Sequence, residues 1–172
     1  MLKEKHPTRY DMTRILFVAY LLFLVWNILF KMEFSLSRIE HVRAYNLIPF
    51  YYGQGHNVRF HYTEVLYNLL AFLPMGVYLS LIFQRTAFRK KAVGIFAFSL
   101  ALEGSQYILA VGRFDITDLI TNTLGGMIGI GIYRMGCAVI RDRENANRII
   151  AVLVNAGVVL LFGIACLLLA AN

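Results

Sequence analysis

Glu103 is the one charged residue in an apolar run from Ala92 to Val111. Gln106 and Tyr107 follow at i+3 and i+4, which places them on the Glu103 face of a helix. Past Gly112 and Arg113, the residues Asp115, Asp118 and Asn122 recur at i, i+3 and i+7, a single helical stripe. Asn68 interrupts another apolar block, and Asn46 and Phe50 stand in an aromatic segment before it. A carboxyl group set deep in apolar surroundings can hold or release a proton. Glu103, together with Asp115 and Asp118, is therefore a candidate general acid or base. Arg113 offers a planar fork that fits phosphate or carboxylate. Asn46, Phe50, Asn68, Gln106, Arg113 and Asn122 are the candidate substrate contacts.

A structural role competes with this reading. Amide side chains between membrane helices act as glue worth about 0.6 kcal/mol per pair. Arg113 could simply neutralise Asp115 or Asp118. Glu103 tips the balance toward a site, because ionisable groups inside a membrane are costly and usually functional. Two Asp carboxylates could assist a Mg²⁺ ion with phosphate oxygens, but that signal has low specificity. No His or Cys falls at zinc-ligand spacing, so a site without a metal is expected, and the residues point to no particular cofactor. Cys137 and Cys166 read as apolar packing residues. His41, His56 and His61 read as loop histidines. No serine-nucleophile elbow is present, and Ser105 has no His in the spans to activate it.

The elements that must position these residues follow from composition. The chain has 172 residues, 59% hydrophobic and 16% charged. A soluble domain carries about 25% charged residues. The apolar residues fall in five blocks near 15–30, 65–83, 92–111, 116–140 and 149–171. Each approaches the roughly 20 residues needed to cross the hydrocarbon. The fold class expected is all-α, a bundle of five transmembrane helices forming a single membrane domain over 1–172, since a helix satisfies its own backbone groups in lipid. The first block lacks a small-residue cleavage pattern after it and reads as a retained span rather than a signal peptide. Gly125 and Gly129, with Gly126 and Gly131, read as a small-residue face for close helix packing.

The net charge of +7 sits in short segments between blocks, which points to topology and anionic headgroups and away from nucleic acid. Lys and Arg cluster before the first span, between the second and third (Arg85, Arg89, Lys90, Lys91), and between the fourth and fifth (Arg141, Arg143, Arg148). The alternation predicts a cytoplasmic N-terminus and an extracellular C-terminus in the cell membrane. Glu103 then lies about 12 Å below the outer end of its helix. The acids, amides and Arg113 converge on the outer half of the bundle. The long first connection, 31–64, is predicted to hold a short helix over Ser35–Tyr45 and an aromatic cap over Tyr45–Tyr52.

The same residues carry a family resemblance. Asn46-Leu47-Ile48-Pro49-Phe50 resembles the Asn-x-x-Pro-Phe segment of the VanZ-like family. Asn68-Leu69-Leu70-Ala71-Phe72-Leu73-Pro74-Met75-Gly76 resembles its second-span motif. Glu103-x-x-Gln106 and Gly112-Arg113-x-Asp115-x-x-Asp118-x-x-x-Asn122-Thr123-x-Gly125 resemble its third and fourth spans, and the order holds over about Asn46–Gly131. The resemblance implies a Gram-positive envelope protein associated with teicoplanin resistance, with these residues as a shared site of unassigned roles.

Two functions compete. One is a membrane enzyme acting on a lipid or lipid-linked cell-wall precursor at the outer leaflet. The other is a non-catalytic protein that binds or shields against a lipoglycopeptide antibiotic or envelope lipids. In both, membrane lipids are partners and nucleic acid is not. A transporter ranks last, because no inverted repeat or polar path reaches the inner half.

Overall fold

A computed structural model describes residues 9–30, 42–50 and 62–170. Five long helices dominate: α1 (Arg9–Phe30), α2 (Tyr62–Ile82), α3 (Phe88–Leu109), α4 (Ile116–Ile140) and α5 (Arg143–Ala170). All five are long and apolar enough to cross a membrane. The shortest has 21 residues, which at 1.5 Å per residue spans about 31 Å. Large apolar side chains point outward along every helix, as a lipid solvent permits. The expected all-α membrane bundle is the fold found. α5 begins two turns earlier than the apolar block alone suggests, taking in Arg143, Glu144 and Arg148.

The bundle is tightest between α2 and α4, and glycine is the reason. Gly125 lies against the Leu69 carbonyl, and Gly129 against Leu73 and the Cα of Gly76. A side chain at Gly125 or Gly129 would strike α2 backbone, so only a bare Cα allows this spacing. Gly126 receives the Ile95 side chain of α3, whereas Gly131 faces open space and takes no part. Polar pairs hold the remaining seams. Tyr20 donates to the Ala71 carbonyl and Asn27 to the Tyr67 hydroxyl. Tyr78 and Tyr133 donate to Asn155 and Asn147 at 2.9 and 2.8 Å.

One departure from expectation matters for the site. Two short strands, β1 (Val42–Asn46) and β2 (Val111–Asp115), pair in parallel with Val42 opposite Val111 and Asn46 opposite Asp115. The helix predicted over Ser35–Tyr45 is therefore corrected: its last residues, from Val42, are strand, and the earlier ones lie outside the described residues. A parallel pair needs a long crossover, and here α2 and α3 supply it. The third span also ends earlier than its apolar run. Ala110 adopts φ 55° at the C-cap of α3, which turns the chain into β2.

Candidate functional site

The strand pair sits where α1 and α3 end and α2 and α4 begin, and the predicted polar residues gather around it. Asp115 closes β2 and is the N-cap of α4, its Oδ1 accepting the Thr117 N–H at 2.8 Å. An Asp at this position satisfies a donor that the first turn of a helix would leave orphaned. Its Oδ2 accepts from Asn46 Nδ2 at 3.1 Å. The Asn46 Oδ1 in turn accepts the Ile48 N–H at 3.2 Å, which turns the chain toward Pro49 and Phe50. Phe50 has a φ of 58°, a left-handed conformation rare for a bulky residue. Its N–H donates to Thr117 Oγ1 at 3.0 Å, fixing it over the start of α4.

Glu103 joins this knot from α3. It is 1% exposed, and its Oε2 accepts the backbone N–H of Asp115 at 3.0 Å. Asp118 lies one turn further along α4 and accepts from Asn68 Nδ2 of α2 at 2.8 Å. Asn122, a turn deeper, donates from Nδ2 to Ser99 Oγ of α3 at 3.1 Å. The Asn122 Oδ1 is buried and has no hydrogen-bond partner among the described residues. Such an oxygen costs about 1–3 kcal/mol unless a donor reaches it.

Among the described residues around the site, acids outnumber bases, with Arg113 and Arg43 as the cations; the Arg43 guanidinium donates to the Ile108 carbonyl at 3.4 Å. Asp115, Asp118 and Glu64 all lie within electrostatic reach of Glu103, and Asp115 and Glu64 within reach of Asp118. Arg113 brings one guanidinium, with Nε 3.9 Å from Asp115 Oδ2 and a side chain 50% exposed, so this pair is weak. Among the described residues, no group of three or more His, Cys, Asp or Glu is arranged to hold a metal ion. His41, His56, His61, Tyr51 and Tyr52 lie outside the described residues.

Two sequence expectations need correction. Tyr107 does not share the Glu103 face; it is exposed, while Glu103 and Gln106 are buried. Asp115 is not part of the α4 stripe but the strand residue that caps it. Gln106 is buried beside the site yet turned toward α1, where its Nε2 donates to the Ile28 carbonyl at 2.8 Å. The sequence reading missed three contributors: Glu64, Ser99 and Thr117. Glu64 and Asn68 are spaced i, i+4, as are Ser99 and Glu103, and that spacing was the available signal.

An apolar groove of about 420 Å³ opens between α1, α2 and α5, lined by residues that include Phe23, Leu70, Pro74, Gly157 and Leu161. Its lining includes Asn27 and Tyr67, which bond to each other, and Pro74, which has no N–H to give the Leu70 carbonyl. Tyr67 directly precedes Asn68, so the groove adjoins the polar cluster along α2.

The geometry can be set beside known proteins. The sequence profile of the VanZ/LLP1 family matches residues 17–140. That span covers α2, α3, α4, both strands and every candidate site residue. Protein VanZ of Enterococcus faecium is 32% identical over 152 residues, 87% of this chain and 88% of its own. No solved structure matches the chain.

Proposed function

The chain belongs to the VanZ/LLP1 family, and on that footing we propose that it contributes to resistance to teicoplanin-type lipoglycopeptides through the polar site at its strand-capped end. In this reading that end faces outward, as the alternating Lys and Arg segments suggest. The substrate is a lipid or a lipid-linked envelope precursor. Its head meets the Glu103–Asp118 region, and its hydrocarbon chain lies in the groove between α1, α2 and α5.

The observation that carries the proposal is the buried Glu103 carboxylate, tied to the backbone of Asp115 amid polar side chains from three helices. Asp115 has both oxygens engaged and serves to hold the scaffold. Among the described residues, Glu103 and Asp118 are each held through one oxygen, which suits them to proton transfer or to binding a donor. The unpartnered Asn122 Oδ1 adds a further acceptor. Donor-rich head groups, such as sugar hydroxyls or amines, match that surplus of acceptors. Arg113, half exposed at the rim, suits a phosphate linker.

The strand cap favours a second reading. Phe50 is fixed in a strained conformation with its ring partly exposed, and Tyr45, Leu47 and Ile48 are exposed around it. A rigid apolar rim of this kind suits binding without turnover of a lipophilic antibiotic. Expression in a susceptible Gram-positive host tests the shared claim. Teicoplanin inhibitory concentrations should rise while those of vancomycin stay level; no change in either would refute it.

A further inference from the structure

The opposite end of the bundle carries positive charge that the proposed function does not use. α3 starts without a side-chain cap, at Ala87, and its first turn contains no acid. That turn reads Phe88-Arg89-Lys90-Lys91, three cations at the end of a helix dipole that favours anions. Lys91 is 8% exposed, and its Nζ reaches Ser80 Oγ at 3.5 Å, long for a hydrogen bond. Arg134 of α4 lies 5.1 Å over the Phe88 ring. Arg134 and Arg143 of α5 are both within electrostatic reach of Lys91.

The acids flanking Arg143 are engaged elsewhere. Asp142 accepts from the N–H groups of Glu144 and Asn145 and from Asn145 Nδ2, at 2.9, 3.3 and 2.7 Å. Glu144 pairs with Arg148 at 3.4 Å. Beside the cations a cavity of about 580 Å³ is lined by Gln84, Arg85, Thr86 and Arg143, with Ile82 and Phe83. A buried ammonium within electrostatic reach of two guanidinium groups is repelled by both, and burial weakens the solvent screening between them. An anion seated among them would offset that repulsion.

We infer that this end of the bundle binds a phosphate-class anion between the α2–α3 connection and the start of α5. Arg85 and Arg143 hold its oxygens from the cavity wall, Thr86 supplies a neutral donor, Gln84 adds the second N–H of an Nε2 that also donates to the Leu81 carbonyl at 3.2 Å, and Lys91 and Arg134 set the field from behind. Basic pockets between membrane helices suit phospholipid head groups. The location, at the ends of three spanning helices, is level with such head groups, while free phosphate shares the same chemistry.

The test compares unfolding midpoints of the full chain in nanodiscs of phosphatidylcholine alone, with added phosphatidylglycerol, or with inorganic phosphate in solution. Wild type should gain at least about 3 °C from phosphatidylglycerol. Arg85→Gln/Arg143→Gln should lose that gain, and Arg141→Gln/Arg148→Gln, which removes an equal charge at the same end, should keep it. Lys91→Met, a separate variant should the double one misfold, should also lose the gain while matching or exceeding wild type in phosphatidylcholine. A gain from inorganic phosphate without one from phosphatidylglycerol supports the site and assigns it a soluble ligand. Equal gains in all variants would mean surface electrostatics alone and overturn the inference, as would no gain in wild type.

Discussion

The Glu103 carboxylate of α3 accepts the backbone N–H of Asp115 at 3.0 Å, just where β2 becomes α4. One buried acid thereby closes a strand, orients a helix start and retains an oxygen for other partners. The arrangement separates two roles. Accepting the Asp115 N–H requires only an oxygen at that point, whereas acid–base work requires an ionisable group.

That separation makes Glu103→Ala a structural change. It leaves a buried N–H without an acceptor, which costs about 1–3 kcal/mol. Thermal unfolding in a fixed detergent should show the midpoint fall by several degrees. A variant as stable as wild type would mean that water or another group takes the N–H.

The Asn68–Asp118 pair links α2 to α4 at 2.8 Å. A double-mutant cycle of Asn68→Ala and Asp118→Ala should return a coupling of about 0.5–2 kcal/mol in reversible unfolding, in line with polar pairs in membrane proteins. A coupling near zero would remove this contact from the account.

Helix packing gives a sharper contrast. Gly125→Leu and Gly129→Leu drive a side chain into α2 backbone and should cost about 1–3 kcal/mol or prevent assembly. Gly131→Leu faces open space and should be tolerated. Monodispersity and unfolding midpoint of the purified variants decide; equal behaviour of all three would contradict the close α2–α4 approach.

Gly157 tests the groove. A Cβ there meets nothing within 4 Å, and Gly157 lines the groove, so Gly157→Phe should fill the groove without disturbing the helix backbone. Stability should hold or rise, because glycine is a poor helix former, while protection against teicoplanin falls at least several-fold. Full protection by a stable Gly157→Phe would remove the groove from the proposed function and leave the polar site standing.

The five spans were legible because lipid demands long apolar runs and closed backbone hydrogen bonding. The candidate site residues stood out for the complementary reason: Glu103, Asn68 and Asn122 are costly inside such runs. The strand pair was not. β1 and β2 have five residues each, too few to show a period of two, and they meet across two helices. Glu64 falls at the edge of the connection 31–64 by composition, because α2 begins at Tyr62, before its apolar block does. Tyr107 was misplaced because i+3 and i+4 diverge by about 100° around a helix. Burying Gln106 turns Tyr107 outward. The basic residues near Lys91 were read only as topology signals, since nothing in the sequence says that Lys91 itself is buried.

The central claim is that Glu103 does more than hold the fold, and Glu103→Gln tests it most directly. Glutamine keeps the size and an oxygen for the Asp115 N–H but cannot exchange a proton as a carboxyl group does. Teicoplanin inhibitory concentration should be measured for wild type and variant at equal membrane levels in a susceptible Gram-positive host. The account predicts a variant as stable as wild type whose protection is lost. A stable Glu103→Gln that protects as well as wild type would contradict acid–base use of the site and leave binding by the aromatic cap as the working function.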